Sequence, residues 1–321
     1  MSRILITGAT GFVGAAVIRA LRAGGHTLSG TTRQADRPQG PDGVPLYRVP
    51  DFAGPVDWGR FVAGADVVVH LAARAHMTRE EGTQAIDLYR ATNRDGSRRL
   101  AEAAAAAGVK RFVFMSSIKA AGEETFDAPL RETDRCAPQD AYGISKWEAE
   151  QALAETAART GLELVILRPP LVYGPNVRGN LAALLKACAH GWPLPLGGIT
   201  NRRSLISTTN LASAVAVSVA DARAAGQTFF VSDGEDISTP ELVRRLAHAM
   251  GRAPRLWSVP SPLLSLAKRL PGIGPKVRRL TGSLQVDSRA IREALDWAPP
   301  LSLDAGLAET AAWYSATYPA H

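Results

Sequence analysis

Tyr142 and Lys146 stand four residues apart in Tyr142-Gly143-Ile144-Ser145-Lys146, a spacing that puts both side chains on one helix face. A phenol with a pKa of ~10 is a poor base at neutral pH, but a neighbouring ammonium favours its phenolate. The pair is thus a tunable acid/base, and the lysine can also hold a cofactor ribose. Ser116 and Ser117 follow the strand-like run Arg111–Met115. A serine placed there can hydrogen-bond the same substrate oxygen that the tyrosine protonates. Alone, Y-x-x-x-K also describes an exposed helix face; its position after the two serines gives it weight.

A second chemical feature lies at the N-terminus, in Thr7-Gly8-Ala9-Thr10-Gly11-Phe12-Val13-Gly14. It follows a strand-like run and opens a helical one. There, glycines let the backbone turn tightly and approach a pyrophosphate, and the helix N-terminus supplies free N–H donors. Gly8, Thr10, Gly11, Phe12, Val13 and Gly14 are therefore expected to bind a dinucleotide. Their spacing is G-x-x-G-x-x-G, not the commoner G-x-G-x-x-G. The next strand ends in Gly30-Thr31-Thr32-Arg33, without the carboxylate that accepts from an NAD ribose. Arg33 can pair with a 2′-phosphate, so NADP(H) is the preferred cofactor and NAD(H) the alternative. A solvated surface arginine is the competing reading of Arg33.

Composition bounds the rest. A chain of 321 residues, 46% hydrophobic and 21% charged, is globular. Two cysteines, Cys136 and Cys188, build no disulfide framework, which fits the cytoplasm. No apolar run reaches the length of a membrane span. Six histidines without H-x-x-x-H or Cys/His clustering predict no metal. The net charge of +7 suits phosphorylated ligands, because no zinc spacing, RNA-binding aromatic motif or dense basic run points to nucleic acid. His70, between Val69 and Leu71, reads as a core histidine.

The elements that position these residues alternate. Strands are expected at Arg3–Thr7, Thr27–Thr31, Asp66–Leu71, Arg111–Met115 and Glu163–Leu167. Helices are expected at Phe12–Ala23, about Gln84 to Ala107 and about Asp140 to Arg159. Strands separated by such helices imply an α/β fold with a doubly wound parallel Rossmann sheet. After Arg168 the chain becomes rich in turns, with Pro271–Pro275 a loop, and Gln227–Val231 returns as a strand. The expected organisation is a dinucleotide-binding domain of residues 1–172 plus about 209–233. A smaller, interleaved C-terminal α/β substrate domain takes about 173–208 plus 234–321.

Taken together, the Gly8/Gly11/Gly14 loop, Leu71-Ala72-Ala73, Asn93, Ser117, the Tyr142/Lys146 pair and Arg168-Pro169-Pro170-Leu171-Val172-Tyr173-Gly174-Pro175 resemble the extended short-chain dehydrogenase/reductase superfamily, in its NAD-dependent epimerase/dehydratase branch. The resemblance implies that Tyr142 is the acid/base, that Ser117 positions the substrate oxygen and that Lys146 binds ribose. It adds Leu71, Ala72, Ala73, Pro169 and Val172 to the cofactor contacts. It also implies a nucleotide-diphosphate sugar, UDP-linked for preference, with Arg74, Ser117, Lys119, Asn180, Arg203 and Arg279 toward the substrate; His76 also falls near the sugar. Family dehydratases carry an Asp-Glu pair where this chain has Ile118-Lys119, so dehydration is not expected. Reduction of a 4-keto sugar in surface-polysaccharide synthesis is the preferred reading. The alternatives are a 4-epimerase with retained NAD and a non-catalytic cofactor-binding regulator. A homodimer through the helices near 84–107 and 140–159 is implied as well.

Overall fold

The structure is a computed structural model that describes residues 1–75, 85–260, 263, 266–267, 270 and 274–319. His76, Gln84 and the 271–273 part of the expected loop lie outside these residues. The chain opens with β1 (Arg3–Thr7), α1 (Gly14–Ala23), β2 (Thr27–Thr32), β3 (Leu46–Arg48), the short α2 (Gly59–Val62) and β4 (Val67–His70). Then follow α3 (Ala85–Tyr89), a π-helical turn at Arg90–Asp95, α4 (Gly96–Ala106), β5 (Arg111–Met115), α5 (Ala141–Thr160) and β6 (Glu163–Arg168). The remainder holds β7 (Leu171–Tyr173), α6 (Gly179–Ala189), β8 (Arg203–Ser207), α7 (Thr208–Ala220), β9 (Thr228–Phe230), β10 (Asp236–Ile237) and α8 (Thr239–Ala249). Among the described residues, α9 (Gly274–Thr281), α10 (Arg289–Leu295) and α11 (Leu303–Thr317) follow.

The seven-stranded sheet runs β3-β2-β1-β4-β5-β6-β9, with every pairing parallel. Its strands alternate cleanly between two cores, as the two-residue period of a strand demands. Ile4, Ile6, Val67, Val69, Val113, Val165 and Leu167 pack with Val17, Ile18, Leu21, Leu211 and Val215 of α1 and α7. Leu5, Val68, Phe112, Phe114, Leu164 and Ile166 pack on the other face with Leu100, Ala104, Ala149 and Leu153 of α4 and α5. This is the doubly wound fold expected. A second sheet, β10-β8-β7, has its own core of Tyr173, Leu185, Leu205, Ile237, Leu246 and Leu307.

Two local departures have physical causes. The helix expected from about Gln84 to Ala107 is interrupted at Arg90–Asp95 by the π turn, a widening often found at functional positions. The turn formers near 271–275 do not keep all of that stretch a loop, because Gly274 and Pro275 begin α9, where proline's fixed φ suits the first turn.

Candidate active site

The strand order reverses direction around β1 and β4, and ligands of open α/β sheets bind at the carboxyl ends of the strands at such a point. Gly8 lies there with φ +70. A Cβ on it would come 2.9 Å from the Ala72 nitrogen, and one on Gly14 would come 2.4 Å from the Ala9 carbonyl oxygen. Only glycine lets the turn after β1 press against Leu71-Ala72-Ala73 after β4 while Gly14 opens α1. The Gly11 amide donates to the Gly8 carbonyl at 2.9 Å and closes the turn. The result is a cradle of backbone beneath a helix N-terminus, fitted to a pyrophosphate. Thr10, Phe12 and Val13 are half-buried along it. Arg33 follows β2 and is exposed, next to buried Thr31 and Thr32.

Three side chains meet beyond the cradle. Asp140 caps α5 by accepting from the Gly143 amide at 2.7 Å, which fixes the first turn carrying Tyr142. Burial raises the Tyr142 phenol to about 12, opposed by its hydrogen bond with Ser117. Burial lowers Lys146 to about 7, opposed by Glu150. The Lys146 ammonium donates to the Met115 carbonyl at 2.7 Å and lies 3.9 Å from the centre of the Phe114 ring. Carbonyl and ring face both favour its charged form. The expected trio of Ser117, Tyr142 and Lys146 is thus assembled at the ends of β5 and α5, with Tyr89 packed edge-on against Tyr142 at 5.9 Å.

Beneath the trio lies a network that sequence reasoning left unassigned. The Ser116 hydroxyl donates to the Glu150 carboxylate. Arg168 grips the same carboxylate through Nε at 3.0 Å and Nη2 at 2.5 Å, with side chains 7% and 2% exposed. A signal for it existed: Tyr142, Lys146 and Glu150 recur at i, i+4 and i+8 on one face. Asn93, seated in the π turn and 1% exposed, is a clamp. Its side-chain amide donates to the Arg74 carbonyl and to the Ser145 hydroxyl, each at 3.0 Å, and its oxygen accepts from the Arg74 amide at 2.8 Å. One residue therefore ties the loop after β4 to the helix bearing Tyr142 and Lys146.

His70 is buried with both ring nitrogens engaged, by Thr7 at 2.6 Å and Ser97 at 2.8 Å, as a core histidine should be. Burial, reinforced by Lys146, lowers its pKa to about 3. A histidine with a folded pKa below its unfolded value of ~6.5 binds protons preferentially when unfolded. Its contribution to stability should fall as pH drops from about 6.5 toward about 3. Urea midpoints measured across that window should decline less steeply in His70→Gln than in the wild type. Identical slopes would exclude His70 as a source of acid sensitivity.

The residues expected toward the substrate are placed less uniformly. Lys119 pairs with Asp140 and lies 3.6 Å from Glu123, so its charge is already compensated. Pro169 is buried, and its carbonyl accepts from the Ile118 amide at 2.9 Å; Val172 lies half-buried in β7. Asn180 is exposed in the first turn of α6. Arg203 and Arg279 are brought together, but through the backbone. The Arg203 guanidinium donates to the carbonyls of Arg279 at 2.7 Å and Gly282 at 3.3 Å, and burial lowers its pKa. The Arg279 side chain is exposed. Among the described residues no group of His, Cys, Asp and Glu could hold a metal ion, and no helix is long and apolar enough to cross a membrane.

Comparison with known proteins gives concordant results. Residues 4–231 match the model of the NAD dependent epimerase/dehydratase family. The chain is 42% identical over 313 residues to a UDP-glucose 4-epimerase of Vibrio cholerae, covering 96% of this chain and 94% of the relative. The solved UDP-glucose 4-epimerase of Thermus thermophilus, in complex with NAD, is similar with a TM-score of 0.77 and 25% identity. That likeness covers 97% of this chain and 98% of the other. The UDP-glucose 4-epimerase of Thermotoga maritima, solved with UDP-glucose, shares the fold with a TM-score of 0.79 at 23% identity, covering 98% and 99%.

Proposed function

Because the chain belongs to the NAD dependent epimerase/dehydratase family, we propose that it acts at C4 of a nucleotide-diphosphate sugar, UDP-linked for preference, by 4-epimerisation. The observation that carries this is Tyr142 set against Ser117 and one helical turn from buried Lys146, at the carboxyl-terminal end of the sheet that also carries the glycine cradle. The 42% identity to a UDP-glucose 4-epimerase favours epimerisation over the ketoreduction preferred from sequence. When bound, the nicotinamide supplies the hydride acceptor and donor. Tyr142 takes the proton of the C4 hydroxyl and returns one to the same oxygen. Ser117 hydrogen-bonds that oxygen and holds it at the phenol. Lys146 makes the phenolate accessible by placing positive charge in a buried pocket, where charges interact strongly. The buried floor of Phe114, Glu150 and Arg168 keeps these groups in place, and positioning of this kind supplies much of the rate. Incubating the purified chain with UDP-glucose and following UDP-galactose tests the proposal. Interconversion without net change in the cofactor supports it; its absence across UDP-sugars overturns it.

One observation favours 4-ketoreduction with NADP(H): β2 ends in threonines and exposed Arg33, with no carboxylate for a ribose hydroxyl. On that reading Arg33→Ala should weaken NADPH roughly ten- to a hundredfold, the worth of a charge-assisted contact, and leave NADH nearly unchanged. Equal losses for the two, or a wild type that prefers NADH, would make Arg33 a surface residue. Pairing of two copies through α4 and α5 is also a proposal, which sedimentation of the purified chain tests.

A further inference from the structure

Lys119 lies two residues past Ser117, where the resemblance implies a substrate contact. The fold gives its side chain to the protein instead. Its ammonium pairs with the Asp140 carboxylate and lies 3.6 Å from that of Glu123, so two carboxylates share one cation. All three residues are half-buried. A lysine free to meet substrate would not be held in this way.

The backbone of the same residue holds a second partner. The Lys119 amide donates to the Ser117 Oγ at 3.2 Å, at the start of the 3₁₀ turn Ile118–Ala120. Its carbonyl oxygen abuts the first turn of α5, where a Cβ on Gly143 would collide with it. Asp140 caps that turn through the Gly143 amide at 2.7 Å, and its own amide donates to Glu123 at 3.0 Å. Lys119 therefore touches Ser117 through its backbone and the cap of the Tyr142 helix through its ammonium.

Charge adds to this placement. Tyr142 is faced by Ser117 from the turn after β5, by Tyr89 from α3 and by Asp140 at its own helix start, with Lys146 one turn along. Asp140 is the anion among these groups, and a carboxylate near a phenol disfavours the phenolate. An ammonium held on that carboxylate offsets the repulsion. Resting on the reaction proposed above, we infer that Lys119 is a positioning residue: it fixes Ser117 against the Tyr142 helix and screens the phenol from the charge of Asp140.

The test uses the full chain with UDP-glucose and compares Lys119→Met, Asp140→Asn and the double variant across pH. Lys119→Met should lower kcat at neutral pH roughly three- to tenfold and leave KM within about twofold, because the uncovered carboxylate acts on the acid/base. Its kcat profile should move to higher pH by about 0.5–1, and that of Asp140→Asn to lower pH. Adding Asp140→Asn to Lys119→Met should restore most of the lost turnover, since asparagine caps a helix as well as aspartate does and carries no charge. A KM that rises with kcat retained would make Lys119 a substrate contact and overturn the inference. So would a double variant no better than Lys119→Met, or an Asp140→Asn profile that does not move. A second readout is independent of turnover: the phenolate absorbance of Tyr142, taken as the difference between each protein and its Tyr142→Phe counterpart. At a fixed alkaline pH a smaller share of Tyr142 should be ionised in Lys119→Met than in the wild type. If UDP-sugars are not interconverted and this share still falls, the reaction proposed above is overturned and the screening by Lys119 is supported. An unchanged share overturns the screening.

Discussion

Tyr142→Phe is expected to lower turnover by roughly 10²- to 10⁴-fold, the range that a positioned acid/base contributes. The substitution removes only the hydroxyl. The ring keeps its edge contact with Tyr89, and the cradle formed by Gly8, Gly11 and Gly14 is untouched, so dinucleotide affinity should stay close to that of the wild type. The loss should therefore fall on kcat, because the proton transfer belongs to the chemical step. Stopped assays with and without substrate, alongside titration of the dinucleotide, separate the two quantities. Activity within about tenfold of wild type would remove Tyr142 from the role of proton donor and acceptor.

The second large effect is on stability. Arg168→Met should cost about 3–5 kcal/mol, because it leaves the Glu150 carboxylate buried without its cation. Ser116 would remain as a donor to that carboxylate, but one hydroxyl does not replace a two-point guanidinium contact. Arg168→Lys keeps the charge and loses the fork geometry, so it should fall between wild type and Arg168→Met. The double variant Glu150→Leu/Arg168→Met should recover much of the loss, since neither charge of that pair remains. Urea unfolding followed by tryptophan fluorescence measures all three. A cost below about 1 kcal/mol for Arg168→Met would mean that water or another group reaches Glu150.

The layered fold and the gathering of Ser117, Tyr142 and Lys146 at one place were legible because each rests on local pattern. Val67-Val68-Val69 and Phe112-Val113-Phe114 announce strands buried on both faces, and the structure divides them between two cores. Gly8 and Gly14 announce a close backbone approach, which Ala72 and Ala9 provide. What could not be read depends on partners distant in sequence. Glu150 meets Ser116 from 34 residues away, and the Asn93 clamp joins Arg74 to Ser145, 52 residues beyond Asn93. The π turn that aims Asn93 gives no compositional sign, since its residues are ordinary helix formers or polar. Arg203 illustrates the opposite limit. The resemblance marks it as a ligand for phosphate, while the fold supplies backbone carbonyls at the end of α9 for its guanidinium.

Placing β9 beside β6 also sets the order in which the protein can be completed on the ribosome. Ile166, Leu167 and Arg168 pair with Thr228, Phe229 and Phe230, so the strand that ends in the Glu150 partner keeps an open hydrogen-bonding edge until some sixty further residues have been made. At ~5–20 residues per second that interval is roughly 3–12 s. An unpaired strand edge is a template for pairing with other chains, and this one belongs to a strand whose interior is entirely apolar. During synthesis the nascent chain therefore passes through a period in which the strand carrying Arg168 keeps one edge open to pairing.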